Sequence, residues 1–183
     1  VAVLILFFNR PEHLKKVFEE VRKARPSRLF LYQDGPRSDK DLDGIKKCRE
    51  VVDNIDWECD VQRLYQERNY GCDPAEYISQ KWAFSMADKC IVLEDDDVTE
   101  GVPDDYFFTS VFSIWGWASW RRVVDQWDEH YTFLDDPYAM QQLTNLVRQR
   151  RFRTDFIPMC RDHRVSGKAF YETIFWASML LNN

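Results

Sequence analysis

Paired cysteines, clustered histidines and a membrane-length apolar run are all missing from this sequence, and each absence closes off a class of function. The five cysteines, Cys48, Cys59, Cys72, Cys90 and Cys160, include no C-x-x-C pair. An odd count without close spacing suits free thiols in a reducing compartment and argues against a zinc site. His13, His130 and His163 lack metal-ligand spacing as well. No apolar stretch reaches the length of a membrane span and no leader is visible, so the sequence predicts a cytoplasmic protein without membrane association in this segment. Positive charge is in deficit: 25 Lys and Arg face 31 Asp and Glu, leaving a net charge of -6. Nucleic acid is thereby a poor partner, because a phosphate backbone needs a basic face. Nor is there a repeat, a low-complexity tract or a linker. The 183 residues therefore read as one domain, long enough to bury a core without disulfides.

What is present is apolar and unusually aromatic: 45% hydrophobic residues, 15% Phe, Trp and Tyr, and 7 Trp. Flat rings in that number serve either a core or a surface on which a ligand stacks. Residues 1–8 form an unbroken apolar run ending at Asn9-Arg10-Pro11, the pattern of a strand buried on both faces of a parallel sheet. Pro11 then opens a helix, with Leu14, Val17, Phe18 and Val21 on one side, that Pro26 closes. Further strands are expected at 29–32, 59–64 and 90–93, with helices at about 39–54 and 75–86. Beyond residue 106 only a polar helix near 138–150 and an amphipathic stretch over 171–181 stand out. Strand and helix alternate, which predicts an α/β domain whose sheet is mostly parallel and flanked by helices. Three strands end in polar groups: Asn9-Arg10, Gln33-Asp34 and Glu94-Asp95-Asp96-Asp97. In an open parallel sheet these ends line one crevice, where ligands bind.

The acidic run admits several readings. Four adjacent carboxylates raise one another's pKa or recruit a cation, and a loop at a strand end suits an oxygen-ligated Mg²⁺ or Mn²⁺ with positions left for phosphate. A solvated acidic turn is the plain alternative. A third reading takes Asp95-x-Asp97-x-Thr99 as the nucleophile motif of a haloacid-dehalogenase-type phosphatase, with Asp95 attacking and Asp135-Asp136 as the later acidic pair. Here some ninety residues of chain would precede the motif.

Val92-Leu93-Glu94-Asp95-Asp96-Asp97-Val98 resembles the DxD-type region of GT-A glycosyltransferases, in particular N-acetylglucosaminyltransferase I and similar bacterial proteins. Phe8-Asn9-Arg10-Pro11 resembles that family's first strand ending and Gln33-Asp34-Gly35 its second. Glu67-Arg68-Asn69-Tyr70-Gly71-Cys72 is similar to the loop before the metal strand in bacterial members. Tyr106-Phe107-Phe108 and Gly116-Trp117 resemble the acceptor-side region. The likeness spans nearly the whole chain.

That resemblance implies a GT-A fold, with a nucleotide-binding part over about 1–100 and a sugar and acceptor part over about 101–183. It implies a metal-dependent, inverting transferase that moves a hexose or N-acetylhexosamine from a nucleotide diphosphate, a UDP-sugar above all, to a glycan in polysaccharide biosynthesis. Arg10 and Asp34 would meet the base and ribose, and Glu94 and Asp95 the ribose and sugar. Asp96 would hold Mn²⁺ or Mg²⁺ with Asp95 next to it, whereas a plain D-x-D reading takes Asp95 and Asp97. Trp115, Gly116 and Trp117 would shape the sugar pocket, and Glu172 would be the base. The chain departs from the family in two places. Glu172 stands where an Asp is usual, and the interval from Asp97 to Phe112 is shorter. A non-catalytic sugar-nucleotide binder that kept the fold remains a third hypothesis.

Overall fold

A computed structural model of the chain describes residues 1–97, 116–146 and 150–182. Its centre is a five-stranded sheet in the order β3-β2-β1-β4-β5. The strands are β1 (Ala2–Phe7), β2 (Arg28–Gln33), β3 (Asp60–Tyr65), β4 (Lys89–Glu94) and β5 (Trp117–Trp120). The first four run parallel, with β1 paired to β2 from Ala2↔Arg28 to Phe7↔Gln33 and to β4 from Ala2↔Cys90 to Leu6↔Glu94. β3 continues the parallel set beyond β2. The protein is thus an α/β structure with a mostly parallel sheet. Every residue of β1 is buried, as an unbroken apolar run at the centre of a covered sheet requires.

The helices follow from the same pattern. In α1 (Pro11–Ala24), Pro11 takes the first turn and Leu14, Val17, Phe18 and Val21 face inward. α2 (Leu42–Val52) buries Ile45, Cys48 and Val52, after a short 3-10 turn at Asp39–Asp41. Together they cover one face of the sheet, where Val3, Ile5, Phe7, Leu29 and Leu31 meet Leu14, Phe18, Val21, Cys48 and Val52. On β2, Phe30 makes an edge-on ring contact at 5.3 Å with Trp82 of α3 (Cys72–Met86).

Two compact units emerge, the first Val1–Tyr70 with Trp82–Arg121 and the second Gly71–Lys81 with Arg122–Asn183. The sheet belongs to the first. The second unit contains α4 (Arg121–Val124) from Arg122 on, a 3-10 turn (Thr132–Asp135), α5 (Pro137–Leu146), α6 (Arg150–Ser166) and α7 (Tyr171–Leu181). Its core is aromatic: the Trp127 ring lies 6.0 Å from Tyr77, 5.4 Å from Tyr171 and 6.1 Å from Phe175.

Three elements differ from the sequence expectation. The polar helix expected near 138–150 is α5, and α6, over Arg150–Ser166 with Pro158 in its interior, was not expected. A proline there removes a backbone donor, so propensity hides the helix. The stretch over 171–181 is helical but not amphipathic, since Tyr171, Thr173, Ile174, Phe175, Ala177 and Ser178 are all buried. β5 went unseen because four residues give too short an alternation. Among the described residues no helix is long and apolar enough to cross a membrane.

Candidate functional site

β1 leads by way of β2 to β3 on one side, while β4 pairs with its other edge. The strand order therefore reverses between β1 and β4, the place where open α/β sheets bind ligands beyond their carboxyl ends. Asn9-Arg10 follows β1 there, and Asp95-Asp96-Asp97 follows β4. Arg10 joins the two ends. Its guanidinium Nη1 donates to Asp96 Oδ2 at 2.8 Å, Nε to Asp95 Oδ2 at 3.4 Å, and Nη2 to Asp95 Oδ1. The backbone at Arg10 is fixed by its place before Pro11 and by the Leu14 N–H, which donates to its carbonyl at 3.1 Å.

The four carboxylates have separate environments. The Asp95 side chain is 4% exposed and that of Asp96 45%. Burial pushes Asp95 up, opposed by Arg10, while the Phe8 N–H also favours its charged form. Asp97 turns back on its own loop: its Oδ2 accepts the Glu94 N–H at 2.7 Å, and the Gly116 N–H also supports its carboxylate. Burial still pushes Asp97 up. Glu94, the last residue of β4, is pushed up to about 7, first by burial and then by Asp97, Asp96 and Asp95. One guanidinium thus leaves the run with surplus negative charge. Asp96 is the member both solvent-facing and not consumed by the turn.

Gly116 sits at φ 64, a left-handed conformation that suits glycine. A Cβ there would lie 3.5 Å from Asp97 Oδ2. Trp117 begins β5, pairs in register with Val92 and is half-buried. Trp115 lies outside the described residues, as do Thr99 and the Tyr106-Phe107-Phe108 motif.

Asp34 follows β2 on the same edge, yet its bonds run toward the segment after β3. Oδ1 accepts the Gly35 N–H at 2.9 Å and the Tyr70 N–H at 3.0 Å, while Oδ2 accepts Asn69 Nδ2 at 2.9 Å. The residue is 7% exposed. Gly35 fits because a Cβ would come within 2.5 Å of the Arg68 backbone. Asp34 therefore ties two loops together, and Asn69 serves it rather than a ligand-facing surface.

The sequence marks Asn9 and Gln33 as polar strand ends but not the partners that hold them, Asp41, Arg37 and Arg49. Asn9 Nδ2 donates to Asp41 Oδ1 at 2.7 Å, and Arg37 grips the same carboxylate through Nη2 at 2.8 Å. Those Arg37 hydrogen bonds hold Asp41 down to about 2. Gln33 is fully buried, donates to the carbonyls of Phe8 and Ile45 at 2.9 and 3.0 Å, and accepts from Arg49 Nε at 2.7 Å. A glutamine closing an otherwise apolar strand was the available signal, since a buried amide must find partners.

Glu172 stands in the second unit, exposed, in the first turn of α7. Its N–H supports the carboxylate of Asp73, a residue that burial pushes up. Phe170 offers α7 no side-chain cap, so Asp73 acts as a cap from another helix. The next residue, Thr173, shares its hydroxyl with Tyr131 Oη at 2.7 Å and with His163 Nδ1 at 2.9 Å. The turn that carries Glu172 is thus fixed while its carboxylate faces solvent.

Among the described residues no three His, Cys, Asp or Glu side chains form a ready-made metal cage. The acidic turn still suits a hard cation of the kind that keeps only one or two carboxylates and takes its other ligands from phosphate and water. No protein-family model matches this chain, and no curated protein matches it significantly.

Proposed function

We propose that this protein is a metal-dependent, inverting glycosyltransferase of the GT-A type, using a nucleotide diphosphate sugar, with UDP as the expected nucleotide, and a glycan acceptor. One observation carries the reading: an acidic turn with an exposed Asp96 and an arginine meet where the strand order reverses, at the carboxyl ends of β1 and β4. The strand order and the antiparallel β5 are compatible with that fold.

In this reading Asp96 would hold Mn²⁺ or Mg²⁺: it shares Arg10 with Asp95 but is 45% exposed where Asp95 is 4% exposed, and Asp97 is committed to its own turn. The cation would offset charge gathering on the diphosphate as the sugar leaves. Arg10 and Glu94 face the nucleotide and its ribose, and Gly116 with Trp117 borders the sugar. Asp34 contributes by holding its loop, and any direct contact with the base competes with the donors it already accepts. The resemblance assigns the base to Glu172 of the second unit, which would take the proton of the acceptor hydroxyl as the acceptor oxygen bonds to the anomeric carbon and the bond to diphosphate breaks.

The phosphatase reading ranks second on geometry: an attacking Asp95 needs access, and its side chain is buried under a two-pronged arginine contact. Calorimetric titration with UDP, GDP and dTDP, each with and without Mn²⁺, tests the proposal. UDP should bind tightly only with metal, and Asp96→Ala should abolish that dependence. Glu172→Gln should bind as before and fail to transfer. A phosphoaspartate trapped on Asp95 would establish the phosphatase instead, and metal-dependent binding without transfer or donor hydrolysis would leave a sugar-nucleotide binder.

A further inference from the structure

We infer that Arg10 is a resident counter-ion of the acidic turn, and that it couples the binding of the divalent cation to that of the diphosphate. The inference rests on the transferase reading for the identity of the ligands, and on the observed ion pairs for everything else.

Arg10 occupies the two positions a cation would want. It spans buried Asp95 and exposed Asp96, with 2.8 Å from Nη1 to Asp96 Oδ2. Its backbone is pinned ahead of α1, but the side chain is 46% exposed and long enough to turn without moving the helix. A metal ion arriving alone must break the Asp96 contact and gains few protein oxygens in return. A diphosphate arriving alone meets a run with excess negative charge. Arriving together they solve both problems. Asp96 would then hold the ion together with phosphate oxygens, and the planar guanidinium of Arg10, which forks onto phosphate as well as onto carboxylate, would gain a second partner. Arg10 thus favours the doubly loaded state over either singly loaded one. That preference is a coupling free energy between two ligands, and it acts reciprocally.

Removing the guanidinium should therefore raise affinity for the metal alone while lowering the advantage of having both. The measurement is Mn²⁺ binding to the intact chain, followed by loss of the free-ion electron paramagnetic resonance signal, with and without UDP. In the unaltered protein UDP should tighten Mn²⁺ binding by at least tenfold. In Arg10→Gln, Mn²⁺ alone should bind at least tenfold more tightly than to the unaltered protein, and the effect of UDP should shrink to a few-fold. Unchanged Mn²⁺ affinity in Arg10→Gln overturns the inference, as does an undiminished UDP effect. If Arg10→Gln does not fold, Arg10→Lys replaces it, since an ammonium lacks the fork that spans two carboxylates. At least a threefold gain in Mn²⁺ affinity is then expected, and no gain refutes the idea. A gain in Mn²⁺ affinity in a protein that binds no nucleotide under any condition would support the counter-ion role of Arg10 and sink the transferase reading.

Discussion

The ends of β2 and β4 carry acidic groups on the same edge of one sheet, and the fold uses them in opposite ways. Asp34 is buried and meets N–H donors from Gly35, Asn69 and Tyr70. Its charge is absorbed by dipoles, and the result is a joint between loops. At the end of β4 the donors run out. Asp97 takes the Glu94 N–H, Asp95 takes Arg10, and Glu94 is left pushed up to about 7. A carboxylate surrounded by N–H groups stabilises the fold, whereas carboxylates surrounded by one another store unfavourable charge that a ligand can relieve. Acidity at a strand end is therefore not itself a sign of function; the local supply of donors decides.

The largest expected contrast is between Asp34→Ala and Asp96→Ala. The first strands three donors and should lower stability by about 3 kcal/mol, the scale of hydrogen bonds to a charged group. The second removes an exposed partner and should change stability by no more than about 0.5 kcal/mol. Urea unfolding checks both, through the midpoint at unchanged slope; equal losses would erase the distinction.

Next in size are the glycines that shape the two ends. Gly35→Ala would drive a Cβ to within 2.5 Å of the Arg68 backbone, costing about 2 kcal/mol through overpacking. Gly116→Ala meets no such contact but keeps a left-handed backbone, costing about 1 kcal/mol. The same unfolding measurement ranks them, and a reversed order would show that the β4 end, not the β2 end, is the tighter joint.

Changes in pH should separate the charges themselves. The Glu94 carboxyl, raised to about 7 in the folded state, contributes stability that is full below its unfolded value and lost as pH rises toward 7. Glu94→Gln should remove that loss and stabilise the protein at pH 8 by about 1–2 kcal/mol, less than the full shift implies because the group is only partly buried. Asp41, held down to about 2 by Arg37, has the opposite sign. Its contribution is present above the unfolded carboxylate range and lost as pH falls through about 2. Asp41→Asn should flatten only that acid limb, the smallest of these effects. Melting temperatures across pH 2 to 9 would reveal both slopes, and a Glu94→Gln protein that still loses stability between pH 5 and 7 would place the stored charge elsewhere.

Local sequence determined much of this protein. The apolar run of β1, Pro11 at the start of α1 and the apolar spacing of α1 and α2 specify strand, helix and buried face within a few residues, because those signals need no partner to be read. The same holds for the chemical character of the strand ends, with Asp96 and Arg10 both legible as polar groups placed just past apolar strands. Tertiary structure decided the rest. Only the sheet order brought Arg10 against Asp95 and Asp96, across more than eighty residues of chain. Only packing assigned Trp127 to a core, sent Asp34 toward Asn69 and Tyr70, and let α6 accommodate Pro158. Which charges end up near which donors depends on contacts between segments distant in sequence, and no periodicity within a segment encodes them.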